Sequence, residues 1–191
     1  RHIALTLFRG AAGLIFAGVL AVLLGVPCGL SQAAMDILAP LVTALQGCPP
    51  IIWISLLLVW VGVGSTVPIL VIAAAAFPIL FLNIAQGIAS LDRGLLVMAR
   101  VYRVPFPRVC TQILLPGIAH HMLAAVSFAL GITWKVTATA EFFGSASGIG
   151  ARLYWAYREL AMERLFAWAA VLIGFGLALE IVLVRPLRKM N

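Results

Sequence analysis

An all-α bundle of membrane-spanning helices is the fold this sequence predicts, and three observations carry it. Of 191 residues, 64% are hydrophobic and 10% charged, with mean hydropathy +1.14, where an ordinary soluble domain is roughly 25% charged. The charges are far apart: 26 residues between Arg9 and Asp36 and 55 between Asp36 and Asp92 carry none, and one crossing needs about 20. The basic residues flank apolar runs instead of gathering on a polar module. The net charge of +7 therefore points to membrane orientation and away from nucleic acid.

Lipid offers no partner for an open N–H or C=O, so each apolar run must be helical. Charge-free length places about five spans, at 11–30, 37–61, 67–89, 115–139 and 165–184, in a single transmembrane domain over residues 1–191. The first residue is arginine, so the true start is expected to lie upstream, with room there for a further span. Pro27, Pro49, Pro50 and Pro78 fall within or near spans, where they either serve packing or bend helices beside a pathway. The turn Gly62–Thr66 is too short for a domain, so spans two and three form a hairpin. Beyond span four, residues 141–163 read as an extracytoplasmic glycine-rich turn, FGSASGIG, and an interfacial helix with Tyr154, Trp155 and Tyr157 at headgroup level.

With the C-terminal tail in the cytoplasm, the inner side carries seven basic residues and the outer side five: Arg1, Arg9, Arg152, Arg158 and Arg164. That is the sense of the positive-inside rule, by a small margin. Cys28, Cys48 and Cys110 lack metal-ligand spacing, and adjacent His120 and His121 point about 100° apart on a helix. Neither a disulfide, a metal site nor a catalytic group is expected.

The passage Val97–Gly117, VMARVYRVPFPRVCTQILLPG, interrupts the apolar chain. At 100° per residue Leu91, Leu95, Met98, Ala99 and Tyr102 form one stripe, with Arg93 and Arg100 opposite. Asp92 suits the positive end of that helix. Pro105 and Pro107 end it, and Pro107 opens a second helix reaching Pro116. Two readings compete: an amphipathic linker on anionic lipid, or a bent docking element for a cytoplasmic partner.

This passage resembles the cytoplasmic loop of binding-protein-dependent ABC importer permeases, Glu-Ala-Ala, three residues, Gly, nine residues, Ile-x-Leu-Pro. Ala99 takes the second alanine, and Ile113, Leu115 and Pro116 match its end; Val97 stands where glutamate is usual and Arg103 where glycine is usual. CPPIIWISLLLVWVGVG (48–64), LLVMAR before the bend and ALGITWKVTATAEFFGSASGIG (129–150) are similar to the nitrate, sulfonate and taurine branch. The resemblance implies the type I importer permease architecture, multi-pass in the bacterial cytoplasmic (inner) membrane. It implies partners as well: two cytoplasmic ABC ATPase subunits that hold ATP and Mg, a second permease copy or a sister permease, and an extracytoplasmic substrate-binding protein. No cofactor is expected on this chain, whose GSASGIG lacks the lysine of a phosphate loop.

By that resemblance residues 91–116 are a coupling segment, with Arg93, Leu95, Met98, Ala99, Arg100, Tyr102, Arg103, Pro105 and Pro116 carrying the contact to the ATPase. Arg103 in place of glycine leaves three possibilities: a partner-specific ion pair, a bend supplied by Pro105 and Pro107 instead, or altered coupling. The expected function is a non-catalytic permease subunit moving a small solute, of the oxoanion or organosulfonate class if the branch carries substrate. The alternative is an ATP-independent channel or assembly scaffold.

Polar residues inside spans are candidate pathway linings. Gln46, Asn83 and Gln86 line the pathway or bond between helices, and Pro49 and Trp53 join the pathway candidates with Glu141. Lys135 attracts an anion, snorkels, or pairs with Glu141 or a neighbouring subunit. Glu180 is placed to pair with Arg185 or Arg188. The pairs Gly25 with Gly29 and Gly144 with Gly148 suit close helix approach, as in a dimer contact.

Overall fold

The computed structural model describes residues 1–186. Four long apolar helices form the frame: α1 (His2–Leu30), α4 (Thr66–Ala89), α8 (Ala119–Gly144) and α10 (Met162–Leu179), the last prolonged by a π-helical turn, Glu180–Val184. Between them lie α2 (Gln32–Gln46), α3 (Pro50–Val61), α5 (Arg93–Val101), α6 (Phe106–Val109), α7 (Leu115–Gly117) and α9 (Ile149–Arg158).

The centre of the bundle is the packing of α1 on α4. One face of α1 is lined with small residues, Gly10, Gly13, Ala17, Ala21 and Gly25, recurring at helical spacing. An added Cβ at Gly13 would stand 2.7 Å from Ile72, at Gly25 3.1 Å from Ile84 and at Gly29 2.6 Å from Ile88. The offset between glycine and isoleucine is constant, so α1 and α4 run parallel with their backbones close. The close approach expected of Gly25 and Gly29 is made inside the protomer, against α4. Val71, Ile72, Phe81, Ile84 and Ile88 of α4 are buried accordingly.

Two adjacent parallel helices need a return between them, and α2 with α3 supplies it. The expected single span over 37–61 is instead two helices bent by 91°. Pro49 and Pro50 cannot donate to an α-helical ladder and disfavour helix in the residue before them, which breaks the chain after Gln46. At 1.5 Å per residue α2 is about 22 Å long and α3 about 18 Å, short of a hydrocarbon core of about 30 Å. The return thus makes the crossing only as a pair. Hydrophobic continuity across 37–61 hides that break.

The bundle has two distinct ends. One gathers the end of α1, the start of α2, the end of α4 and α5. The other gathers the start of α1, the α3–α4 turn, the end of α8 and the start of α9. Helix α10 is mostly exposed, with Phe166 and Val171 facing outward. Trp155 and Tyr157 on α9 are exposed as an interfacial helix requires, and Arg158 stacks over the Tyr154 and Trp155 rings. The expected partner Arg188 of Glu180 lies outside the described residues.

Candidate coupling element and membrane-embedded polar sites

The interruption between spans is a helix, a tight turn and a second helix. Asp92 caps α5 by accepting the Gly94 N–H at 2.8 Å. The helix ends before the prolines act: Arg103 sits at φ 53, its N–H donates to Arg100 O at 3.0 Å, and the Val104 N–H reaches Ala99 O at 2.9 Å. This is the Schellman closure, whose left-handed residue is normally glycine. The importer loop that this passage resembles has glycine here, and Arg103 adopts the left-handed conformation that glycine takes freely, at a cost of about 1–2 kcal/mol. Proline as the stop is therefore corrected: Pro105 caps α6 in an extended conformation, and Pro107 lies in its first turn. A π-helical turn at Cys110–Leu114 follows, where the Leu115 N–H reaches back to Cys110 O. Pro116, lacking an N–H, sits just beyond this widened turn.

The single apolar stripe expected on α5 is two. Ala99 is 4% exposed and Leu91 and Leu96 pack on the core, so this edge seats the helix on the bundle. Leu95, Met98 and Tyr102 point away, Tyr102 being 77% exposed, and Val101 and Phe106 extend the bare surface. Arg93, Arg100 and Arg103 are exposed beside it. An apolar patch rimmed by arginines is suited to a protein partner.

At the opposite end lies a buried ion pair that sequence reading missed. Arg9, counted among the flanking cations, is inside α1 and 1% exposed; Glu141 is 0% exposed. Arg9 Nη1 donates to Glu141 Oε1 at 2.7 Å. Glu141 Oε2 accepts from Thr6 Oγ1 at 2.8 Å and from the Gly150 N–H at 3.2 Å. The same guanidinium holds Ser65 Oγ and Ser147 Oγ, each at 2.8 Å, and the Ser147 carbonyl. Gly148, at φ +111, passes where Glu141's carboxylate would meet a Cβ. One arginine thereby ties α1, the α3–α4 turn, α8 and the loop to α9. Glu141 is engaged by these partners, and neither Lys135 nor an open pathway touches its carboxylate. A charge usually marks a span's edge, and nothing local in the sequence tells Arg9 that its partner is Glu141.

The other pathway candidates are dispersed. Gln46 and Pro49 are exposed at the α2–α3 break. Trp53 packs against the buried cluster of Ile54, Val67, Val71, Ile72, Val136 and Ala140, with its indole N–H buried and unbonded among the described residues. Asn83 donates to Ile79 O of its own helix at 2.8 Å, and Gln86 is exposed. Lys135 is exposed on α8.

Four long apolar helices with a bent, capped helix pair at one end are the architecture of a multi-pass helical membrane protein. The chain belongs to the family of binding-protein-dependent transport system inner membrane components, whose model matches residues 13–189. It is 28% identical over 175 residues to an aliphatic sulfonates transport permease protein, SsuC, of Bacillus subtilis, covering 92% of this chain and 63% of SsuC. It is 27% identical over 191 residues to the taurine transport system permease protein TauC of Escherichia coli, covering 100% of this chain and 70% of TauC. The fold matches a chain of the MetNI methionine ABC transporter in inward-facing conformations with TM-score 0.70 at 15% identity, covering 96% of this chain and 94% of that one. The sequence thus spans about two thirds of the length of SsuC and TauC, in the multi-pass inner-membrane class to which the family belongs.

Proposed function

We propose that this chain is the membrane-spanning subunit of an ATP-driven importer that moves a small solute by alternating access. The α5–α6 end faces the cytoplasm, and the Arg9–Glu141 end faces outward. Cytoplasmic ATPase subunits, which bind ATP and Mg, grip the exposed edge of α5, and a second permease copy and an extracytoplasmic binding protein complete the assembly. Closure of the ATPases pushes α5; Asp92 and the turn at Arg103 hold its two ends, so the push passes into α4 and α8, and hydrolysis resets them. The solute is of the sulfonate or oxoanion class, in keeping with the names of SsuC and TauC.

The observation that carries this reading is the unburied Leu95, Met98 and Tyr102 edge on a helix seated through Ala99. Replacing Met98 with glutamate puts a charge into that edge without touching the seat. Co-purified ATPase is expected to fall at least tenfold at unchanged membrane yield; full retention with normal ATP-driven uptake would overturn the docking assignment.

A further inference from the structure

We propose that Lys135 is the charge-selecting residue of the translocation path, holding a small anion on a water-filled face of α8; this rests on the permease reading above. Lys135 lies nine residues below the end of α8 at Gly144, about 14 Å at 1.5 Å per residue. Within a membrane span a cation faces a protein interior or water and not lipid. The other cation embedded in the frame, Arg9, is neutralised by Glu141. The second ion pair among the described residues joins Arg164 to Glu159, so neither pair includes Lys135.

The face around Lys135 is open. Phe128, Lys135 and Thr139 are exposed on one arc of α8, and a Cβ added at Gly131 on the same arc would meet nothing within 4 Å. The opposite arc, Thr133, Val136, Thr137 and Ala140, is buried. A groove of about 640 Å³ runs beside Lys135, with Gly176 and Glu180 on its far wall.

The α2–α3 break supplies an independent sign of water. The Gly64 N–H bonds Gly144 O at 3.0 Å, and Ile54 shares a buried cluster with Val136 and Ala140. The upper ends of α3 and α8 are therefore level, and Pro49, fifteen residues before Gly64, lies further from that end than Lys135, nine residues before Gly144. Gly47 and Pro49 are exposed there. Irregular backbone at such depth is tolerated where it is buried in protein or lines a wet cavity, and not against lipid. The exposed lysine on the open arc of α8 marks that arc as the path and favours negative solutes, with the exposed α2–α3 break a second sign of water in the bundle.

The test uses native membrane vesicles and needs no identified substrate. In a background with Cys28, Cys48 and Cys110 replaced by alanine, Thr139→Cys, one turn above Lys135, is labelled with a sulfonate-bearing and a trimethylammonium-bearing methanethiosulfonate. The cysteine is expected to react with both, and Lys135→Met to lower the anionic-to-cationic rate ratio at least tenfold, while Lys135→Arg keeps it within threefold. A cysteine unreactive to both reagents would overturn the wet face. A ratio unchanged by Lys135→Met would show the lysine already neutralised, by Glu180 or another carboxylate, and would overturn charge selection. Labelling of Tyr102→Cys in each variant confirms insertion. The permease reading fails separately, through absence of a co-purifying ATPase.

Discussion

Replacing Glu141 with alanine is the sharpest probe of what holds the outward end together. The change removes the countercharge of a guanidinium that is 1% exposed and empties the acceptor used by Thr6 and the Gly150 N–H. Breaking a buried ion pair from one side costs about 3–5 kcal/mol, most of it the uncompensated charge that remains. For a chain of this size each kcal/mol moves the midpoint by about 2–4 °C, so thermal unfolding in detergent should shift down by about 10 °C. The double replacement Arg9→Met with Glu141→Leu leaves no buried charge and should cost less than either single change, despite the lost bonds to Ser65 and Ser147. A midpoint for Glu141→Ala within about 2 °C of the parent, or additive single and double changes, would refute the lock.

Arg103→Gly relieves a left-handed residue at φ 53 and should stabilise the protein by about 1 kcal/mol, read as a higher midpoint and slower amide exchange at Val104. Leu160 closes α9 in the same way at φ 54, and Leu160→Gly should act in the same direction. Gly29→Ala drives a methyl to 2.6 Å from Ile88 and 2.7 Å from the Ala85 carbonyl, so overpacking should cost about 1–3 kcal/mol. Gly18→Ala, with nothing within 4 Å, should instead be neutral or gain up to about 1 kcal/mol; thermal midpoints of the two variants separate the effects.

Much of the fold was legible because burial in lipid is a strong and local demand: the long charge-free runs give α4, α8 and α10 to within about five residues and the end of α1, whose start lies nine residues before the expected span because Arg9 is buried within the helix. The α2–α3 break was written in Pro49 and Pro50, yet hydropathy, which sees composition and not donors, joins 37–61 into one span. On α5 the pattern gives the helix and its amphipathicity but not which edge meets the bundle. Leu96 and Ala99 and, one step around, Leu95 and Met98 are both apolar edges, and only packing against the α1 end decides between them. Pairing across 132 positions, as between Arg9 and Glu141, has no local signal at all. The missing glycine at Arg103 was readable from the family loop, and the structure shows what the glycine was for.

The orientation and engagement of α5 can be read together by placing a photo-crosslinking residue at Met98 in cells and, separately, at Ala99. Met98, on the bare edge, should join an ATPase subunit in a product that depends on the assembled importer, whereas Ala99, 4% exposed, should give internal products. Crosslinks from Met98 to lipid alone, or to proteins of the outer side, would contradict α5 as the cytoplasmic handle of the transporter.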